Sequence, residues 1–403
     1  MAHPHVLLIG WRPDAVTALH RLGAEVTCVL TAAELDRRGD LLDDVHTVAV
    51  HDPSDTESTL AGLVRHGLDA DRFDVVTSQF EFTLVNAAVL GGARSPMTPV
   101  EALALRDKDI QKRRIRAAGI PVADSRVIVP PRDLAGFPSV RGVLKPLADS
   151  STRGVRTWNS HPEREEIARQ LEQDSVGAPW LAEEWVDGGE LHIDGVVRGG
   201  EVVFTSVGRY LQNVIAIREG GIVASVMQHP EECPDLYARA HAVAGRVMTA
   251  LGHHDGVFHL EVFEQGDTLV FGECGGRIPG GSFDEMIRLQ HGVDLHDEWA
   301  RSVLGLPSVA TPTTAATWFG DVFLATAPGR LVSRPADDEV AARDGVRYVS
   351  LQARPGDLLA DAAQASSVFA GTAVVEGKDE AHTADRIRRL AGWFAEQSVL
   401  TSP

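Results

Sequence analysis

Between Gly256 and Arg277 the sequence reads Gly-Val-Phe-His-Leu-Glu-Val-Phe-Glu-Gln-Gly-Asp-Thr-Leu-Val-Phe-Gly-Glu-Cys-Gly-Gly-Arg. Two β-prone runs flank Gln265-Gly266-Asp267, and a short Gly-containing connection between such runs signals a hairpin. Pairing the runs across that turn sets Glu261 nearly opposite Glu273. Like charges facing each other about 5 Å apart on largely buried strands are destabilising. A shared divalent cation removes the conflict. Hard carboxylate oxygens, with neither cysteine nor paired histidine, suit Mg2+ held together with substrate phosphates. The spacing alone leaves open a plainer reading, two exposed strand carboxylates.

The rest of the chain has to supply what surrounds such a hairpin. At roughly 100–200 residues per domain, 403 residues suggest two to four domains, and 44% hydrophobic residues suffice for more than one core. Val6–Ile9 is a short apolar run closed by Gly10, and Asp14–Leu22 then puts Val16, Leu19 and Leu22 on one helical face. Glu25–Leu30, Val45–Val50 and Asp74–Thr77 read as further strands with helical stretches between them. That alternation predicts a parallel sheet with helices on both faces over residues 1–95. The first strand is followed by Gly10-Trp11-Arg12-Pro13 and lacks GxGxxG, which disfavours NAD. Ser95-Pro96-Met97-Thr98-Pro99 marks a boundary. Thr98 as N-cap, Pro99 at the first helical position and Glu101 at the third start a helix that runs to Ala118. Short strands dominate from Arg126 to Cys274, interrupted by helices near 161–172 and 233–251, which suggests an α+β unit over 96–307. Strands restart at 315–325, 347–353 and 372–375. An amphipathic helix over 380–396, with Ile387, Leu390, Ala391 and Phe394 on its apolar face, closes a unit over 308–403.

Other segments carry chemistry less clearly. Val143-Leu144-Lys145-Pro146 is an apolar strand ending in a lysine, and Ser150-Ser151-Thr152-Arg153-Gly154 follows as a small polar loop. A lysine buried on a strand is costly unless it meets an anion, and hydroxyls and backbone N–H groups can cradle phosphate. An edge lysine beside a surface turn remains the alternative, and no Walker A sequence is present. Trp180-Leu181-Ala182-Glu183-Glu184-Trp185-Val186-Asp187-Gly188-Gly189-Glu190 is a strand, a connection and an acid, which a solvated turn would also explain. His253, His254 and His259 precede Glu261 and raise a zinc reading, but a third ligand has no evident source; His259 is better read as a substrate or supporting contact. Cys274 should point away from the metal carboxylates as a buried thiol. Ser282-Phe283-Asp284-Glu285 after Gly280-Gly281 reads as a capping box, with free N–H groups beside Arg277 as a pocket for a substrate carboxylate or simply as a helix start.

Taken together, the order and spacing of these segments from Thr98 to Gly292 resemble the ATP-grasp superfamily, and especially its carboxylate–amine ligases, including the L-amino acid ligases. The resemblance implies a fold with an N-terminal parallel-sheet α/β domain, a central ATP-clamping domain and a small C-terminal α/β lobe. It implies that Lys108 and Lys145 contact phosphates and that Ser150, Ser151, Thr152 and Gly154 form the loop closing over them. It implies that Glu183, Glu184, Trp185 and Val186 receive adenine, that Glu190 binds ribose, and that Glu261 and Glu273 hold Mg2+, with Mn2+ as a substitute. Arg277 then stabilises the transferred phosphoryl group, and His259, Gly280, Gly281 and Ser282 are candidates for substrate contact. The activity implied is ATP-dependent amide formation through an acyl-phosphate, with ATP as cosubstrate, on amino-acid-like acids and amines in a natural-product or dipeptide pathway. A carboxylase-like reaction, ligation to a thiol or hydroxyl, and a silent ATP-binding regulator are the alternatives. Gly275 stands where the family often has asparagine, and the Ser150–Thr152 stretch stands where the closing loop usually has glycine.

Composition limits the partners. With 38 basic and 57 acidic residues, the net charge of −19 repels nucleic acid and anionic membranes. No run approaches the roughly 20 apolar residues of a membrane helix. Met-Ala-His-Pro-His lacks the basic start of a signal peptide, and Cys28, Cys233 and Cys274 form no disulfide framework. The expectation is a cytoplasmic protein acting on small molecules, with a homodimer allowed.

Overall fold

The Val6–Ile9 run is apolar because it is buried on both faces, as parallel strands covered by helices must be. In the computed structural model, which describes residues 3–42, 44–147, 149–173 and 179–401, it forms the strand His5–Ile9, hydrogen-bonded in parallel to Glu25–Thr31 and to Val75–Thr77. His46–Val50 pairs in parallel with the outer edge of Glu25–Thr31. The first three strands are therefore laid down in one direction, and the fourth returns to the other side of the first. The expected parallel sheet is present, and the strand order reverses between His5–Ile9 and Val75–Thr77. In open α/β sheets that reversal opens a crevice at the carboxyl ends of the strands, where ligands bind. Residues 10–12 and 78–82 flank it. Gly10 is required there: its φ is +99°, and a Cβ would lie 2.3 Å from the Phe80 ring. Pro13 then starts the helix Pro13–Arg21, with Val16 and Leu19 buried as the spacing predicts.

Thr98 caps the next helix through Glu101 N–H, but one continuous helix to Ala118 does not form. Pro99–Ala104 ends, and Asp107 caps a second helix, Lys108–Ala117, by accepting from Ile110 N–H at 2.8 Å. An Asp at an N-cap competes for backbone donors more strongly than it supports a helix interior. The break places Lys108 in a first helical turn and buries Lys112 and Ile115 one and two turns later.

A four-stranded antiparallel sheet follows, in the order Ser125–Ile128, Trp180–Glu184, Gly142–Pro146, Arg156–Trp158. The helix His161–Gln173 covers it through Ile167 and Leu171, which pack with Leu144, Trp158 and Trp180. The central sheet has eight strands: Thr268–Gly275, Gly256–Gln265, Gly189–Arg198, Glu201–Tyr210, Ala224–Met227, Trp318–Leu324, Gly371–Gly377 and Val346–Leu351. Pro234–Leu251 covers one face with Leu236, Ala240, Val243, Val247 and Leu251, set at helical spacing against Ile193, Val207 and Leu260. Phe283–His291 and Leu295–Val303 cover the other. Their Trp299 and Val303 share one apolar cluster with Val16 and Leu19, so the N-terminal sheet packs against the central one. The residues after 307 contribute three strands to the central sheet, and Gly329–Ser333 pairs with Leu358–Leu359 and Val399–Thr401 beside it. The C-terminal lobe is thus continuous with the central sheet, which three short strand readings spaced along the sequence could not reveal.

Ile387, Leu390 and Phe394 of the closing helix Glu380–Gln397 are buried against that lobe, as its periodicity predicts. Phe394 is fully buried, and truncating such a ring removes transfer energy and leaves a cavity. Phe394→Ala is expected to lower stability by about 3–5 kcal/mol in equilibrium denaturation.

Candidate active site

The hairpin forms with Glu261 directly opposite Glu273, and the register slips immediately after Glu261. The two carboxylates share a face because facing residues of an antiparallel pair point the same way. Both are partly open to one cleft, with about 28% and 27% of their side chains exposed. Glu273 meets Lys108 Nζ at 3.0 Å. Glu261 lies 3.5 Å from His259 Nε2 and 3.4 Å from the Tyr210 hydroxyl. Burial works against the charge on Glu261, but the His259 hydrogen bond and the charges of His259, Arg277 and Lys145 outweigh it and hold the pKa at about 2. Glu190, on the neighbouring strand, has the opposite fate: burial and then Glu261 push it up to about 8 against the pull of the Val214 N–H that it accepts at 2.7 Å.

Opposite this wall stands a buried ion cluster. Glu183 sits between Lys112 at 2.9 Å and Lys145 at 3.2 Å. Burial opposes ionisation of Glu183, yet the two lysines and their hydrogen bonds bring its pKa to about 2. Burial likewise opposes the charge on Lys145, and Glu183, Glu273 and Glu261 together overcome it and raise its pKa. The Lys145 charge thus answers carboxylates on both sheets, Glu183 by contact and Glu273 and Glu261 at longer range. Sequence reasoning found Lys145 and Glu183 but missed Lys112, whose placement depends on the helix break at Asp107. The resemblance gave the 183–186 backbone and Glu183 the role of receiving adenine; the Glu183 carboxylate lies between two lysines, and the Glu184 and Trp185 N–H groups donate to Asp124 O and Arg141 O.

Between these walls lies a cleft lined by Lys108, Lys145, Ser150, Ser151, Thr152, Glu183, Glu184, Trp185, Val186, Glu190, His259, Glu261, Glu273 and Arg277. Asn213, Val214, Ile215 and Phe263 line it too, and the sequence gave no signal for them. Gly154 lies just outside the lining, at φ +68° against Pro146. The loop lacks the expected internal glycine, and Ser151 and Thr152 take left-handed φ values of 59° and 57° instead. Such values are costly for a β-branched residue. Ser366 N–H holds the pair by donating to Ser151 O at 2.9 Å and to Thr152 Oγ1 at 3.1 Å.

Arg277 reaches into the cleft because Gly275 leaves room: a Cβ there would lie 3.3 Å from Arg277 Cγ. Its Nε donates to Glu81 Oε2 at 3.0 Å, while Arg106 takes Glu81 Oε1 at 3.1 Å. Glu81, in the loop after the fourth N-terminal strand, was not foreseen. Its sequence signal was its place just past a carboxyl strand end. His259 donates through Nδ1 to Asp194 at 2.7 Å, and His192 takes the other Asp194 oxygen at 2.6 Å. Burial works against His259 protonation, but the Asp194 charge and hydrogen bond, reinforced by Glu261, raise the pKa to about 9. The His192 ring stacks on Phe283 at 4.3 Å and fits only because residue 208 is glycine, where a Cβ would lie 2.0 Å from the ring. His192, Asp194 and His259 offer three ligand atoms within 4.8 Å of one another, a grouping that the sequence did not suggest. His253 is elsewhere, bonded to Glu101 and Val257 O.

Two expectations are corrected. Ser282 makes no capping hydrogen bond; its N–H donates to Asp321 and its hydroxyl pairs with Thr372. The open N–H pocket for a carboxylate is therefore closed, and Gly280, Gly281 and Ser282 do not line the cleft. Cys274 is buried behind Glu273, where burial pushes its thiol well up, as expected of an inert thiol.

Glu183→Gln would leave two buried lysines without their counter-ion. Losing one partner of such a cluster costs about 3–5 kcal/mol. Because the folded pKa of Glu183 is lowered from 4.5 to about 2, the stabilisation is present above the ordinary carboxylate range and disappears as pH falls toward 2. Thermal or chemical denaturation of both proteins is expected to show a large gap at pH 7 that narrows steadily below pH 4.5.

No protein-family model matches the chain. Among curated proteins, the L-arginine-specific L-amino acid ligase of Bacillus subtilis is 24% identical over 263 residues, and the match spans about 62% of the length of each protein. Among solved structures, an L-amino acid ligase from Bacillus licheniformis superposes with a TM-score of 0.77 at 18% identity, over 100% of both chains. Carboxyaminoimidazole ribonucleotide synthase from Aspergillus clavatus, complexed with ATP, gives 0.73 at 18% identity, over 98% of this chain and 99% of that one.

Proposed function

From the premise that the chain has the ATP-grasp fold, we propose that it is an ATP-dependent ligase joining a small carboxylic acid to an amine, with ATP cleaved to ADP and phosphate. The observation that carries this reading is the convergence of Lys108, Lys145, Arg277, Glu261 and Glu273 on one cleft from separate elements. Nucleotide binding alone does not require paired carboxylates facing each other together with an arginine beyond them. The similarity to two L-amino acid ligases supports the same reaction class.

A carboxylate is a poor acyl donor. In the proposed reaction its oxygen attacks the γ-phosphorus of ATP, and the β–γ bridging bond breaks with its electron pair leaving on ADP. The amine nitrogen then attacks the acyl carbon of the acyl-phosphate, the C–O bond breaks, phosphate leaves, and the nitrogen gives up its proton. No protein nucleophile is needed, so the residues act by position and charge. The backbone of 183–186 takes the base, Glu190 the ribose, and Ser150–Thr152 cover the phosphates. Lys108 and Lys145 hold phosphate oxygens, and Arg277 meets the phosphoryl group in transfer. Glu261 and Glu273 fit a divalent cation, since two hard carboxylate donors face each other across the hairpin with their side chains partly open to the cleft, a donor set suited to Mg2+ or Mn2+ held together with phosphate. When bound, such an ion neutralises charge that builds on the phosphate oxygens. No helix among the described residues is long and apolar enough to cross a membrane, and all three cysteines are free, which supports a cytosolic site of action.

A second reading takes bicarbonate as the acid, supported by the likeness in fold to a biotin carboxylase domain from Hydrogenobacter thermophilus solved with MgADP and bicarbonate. A matrix of acids, bicarbonate included, against amines separates the two. Phosphate release with ADP as the nucleotide product is expected only when an acid and an amine are both present. AMP with pyrophosphate as the main products would contradict the mechanism.

Arg277→Lys keeps a charge for Glu81 but loses the planar fork that can hold Glu81 and a phosphoryl oxygen together. Turnover is expected to fall about 10²–10³-fold, the loss typical of one transition-state donor. Calorimetry should find ATP affinity little changed.

A further inference from the structure

Arg12 stands at the carboxyl end of the first strand, on one lip of the crevice where the strand order reverses. Phe80 and Glu81 stand on the other lip, and Glu81 ties that lip to Arg277 and so to the phosphoryl end of the cleft. The Arg12 guanidinium lies over the Phe80 ring, 5.4 Å from its centroid. No described residue accepts a hydrogen bond from it or forms an ion pair with it, although the side chain is half-buried. Glu81 is already shared by Arg277 and Arg106. Asp284 is taken by His296 at 2.9 Å. Burial, then repulsion from Arg277, work against the Arg12 charge, and Asp284 and Asp14 offset this only at longer range.

An uncompensated guanidinium next to another is an arrangement that an anion from outside would relieve. The reacting carboxylate does not answer this need, because it spends its charge on phosphorylation at the Arg277 end. The anion at Arg12 has to be one that stays charged through the reaction. Resting on the ligase reading above, we propose that Arg12 determines specificity by binding a non-reacting anionic group, a carboxylate or a phosphate, on the amine substrate. The aromatic face of Phe80 fixes the plane of the guanidinium, and the Gly10 turn brings the ring under it. The amine is thereby delivered from the N-terminal crevice toward the acyl-phosphate, with the nucleotide on the opposite side.

The test offers each amine in three forms: with a free carboxylate, with that carboxylate blocked as an amide, and as an aminoalkyl phosphate of similar length. Phosphate release is followed for wild type, Arg12→Ala and Arg12→Lys, with thermal midpoints recorded to confirm folding. Wild type is expected to favour one anionic form over the neutral amide by on the order of 10²-fold in kcat/KM, and which form it favours distinguishes carboxylate from phosphate. Arg12→Ala should lose that preference through KM for the amine, while KM for ATP and for the acid holds. Arg12→Lys should recover part of it. An equal loss on charged and neutral amines, a wild type without the preference, or a preference that moves to the acid would overturn the assignment while leaving ligase activity standing. A wild type that releases no phosphate with any acid–amine pair overturns the ligase reading and the role of Arg12 with it.

Discussion

Two carboxylates held side by side on neighbouring strands need positive charge on every approach, and here it comes from four separate elements. Lys108 arrives from the first turn of a helix, Lys145 from a strand of the other antiparallel sheet, His259 from the strand of Glu261 itself, and Arg277 from the loop after Glu273. Each needs its own support. Lys145 is tolerated in a buried position because Glu183 lies beside it, and Glu183 because Lys112 lies on its far side. His259 is held by Asp194, which is held in turn by His192. The pairing of Glu261 with Glu273 thus fixes a charge pattern that extends two residues deep in each direction.

Arg277 carries that pattern across the fold. Its bond to Glu81 links the central hairpin to a loop of the N-terminal sheet, at the point where that sheet reverses strand order. The Arg277 end of the cleft and the N-terminal crevice therefore share one carboxylate. On the proposed reading, a substrate lying in the crevice would meet the same arginine that faces the phosphates. On the other side, Ser366 keeps Ser151 and Thr152 in a backbone conformation that glycine would adopt without restraint. Ser366 thereby ties this loop to the C-terminal lobe.

Much of this was legible in the sequence where the signal was local. The hairpin showed itself through two β-prone runs and a short turn, and its register then followed by counting. The first parallel strands showed themselves as short apolar runs between helical stretches. What stayed hidden depended on partners distant in the chain. Lys112 looks like one more charge in a polar helix until the strand bearing Glu183 is placed against it. Asp194 and His192 lie in a run with no motif, and their value comes from His259, 65 residues away from Asp194. Ser282 had the pattern of a capping box, but Asp321, on a strand contributed by the C-terminal lobe, takes its N–H instead. The helix break at 105–107 was missed because Asp107 was read as helix interior, when its side chain was free to cap.

The central claim is that charge converging on the Glu261–Glu273 pair serves phosphoryl transfer to a carboxylate. The most direct measurement labels both carboxylate oxygens of the accepted acid with 18O and analyses the inorganic phosphate by mass spectrometry after turnover with ATP and amine. Transfer of one labelled oxygen into each phosphate is the result this account predicts, since the acyl-phosphate must lose its bridging oxygen with phosphorus. Phosphate free of label would contradict it, because activation of the acid would then not pass through a bond between its oxygen and the γ-phosphorus.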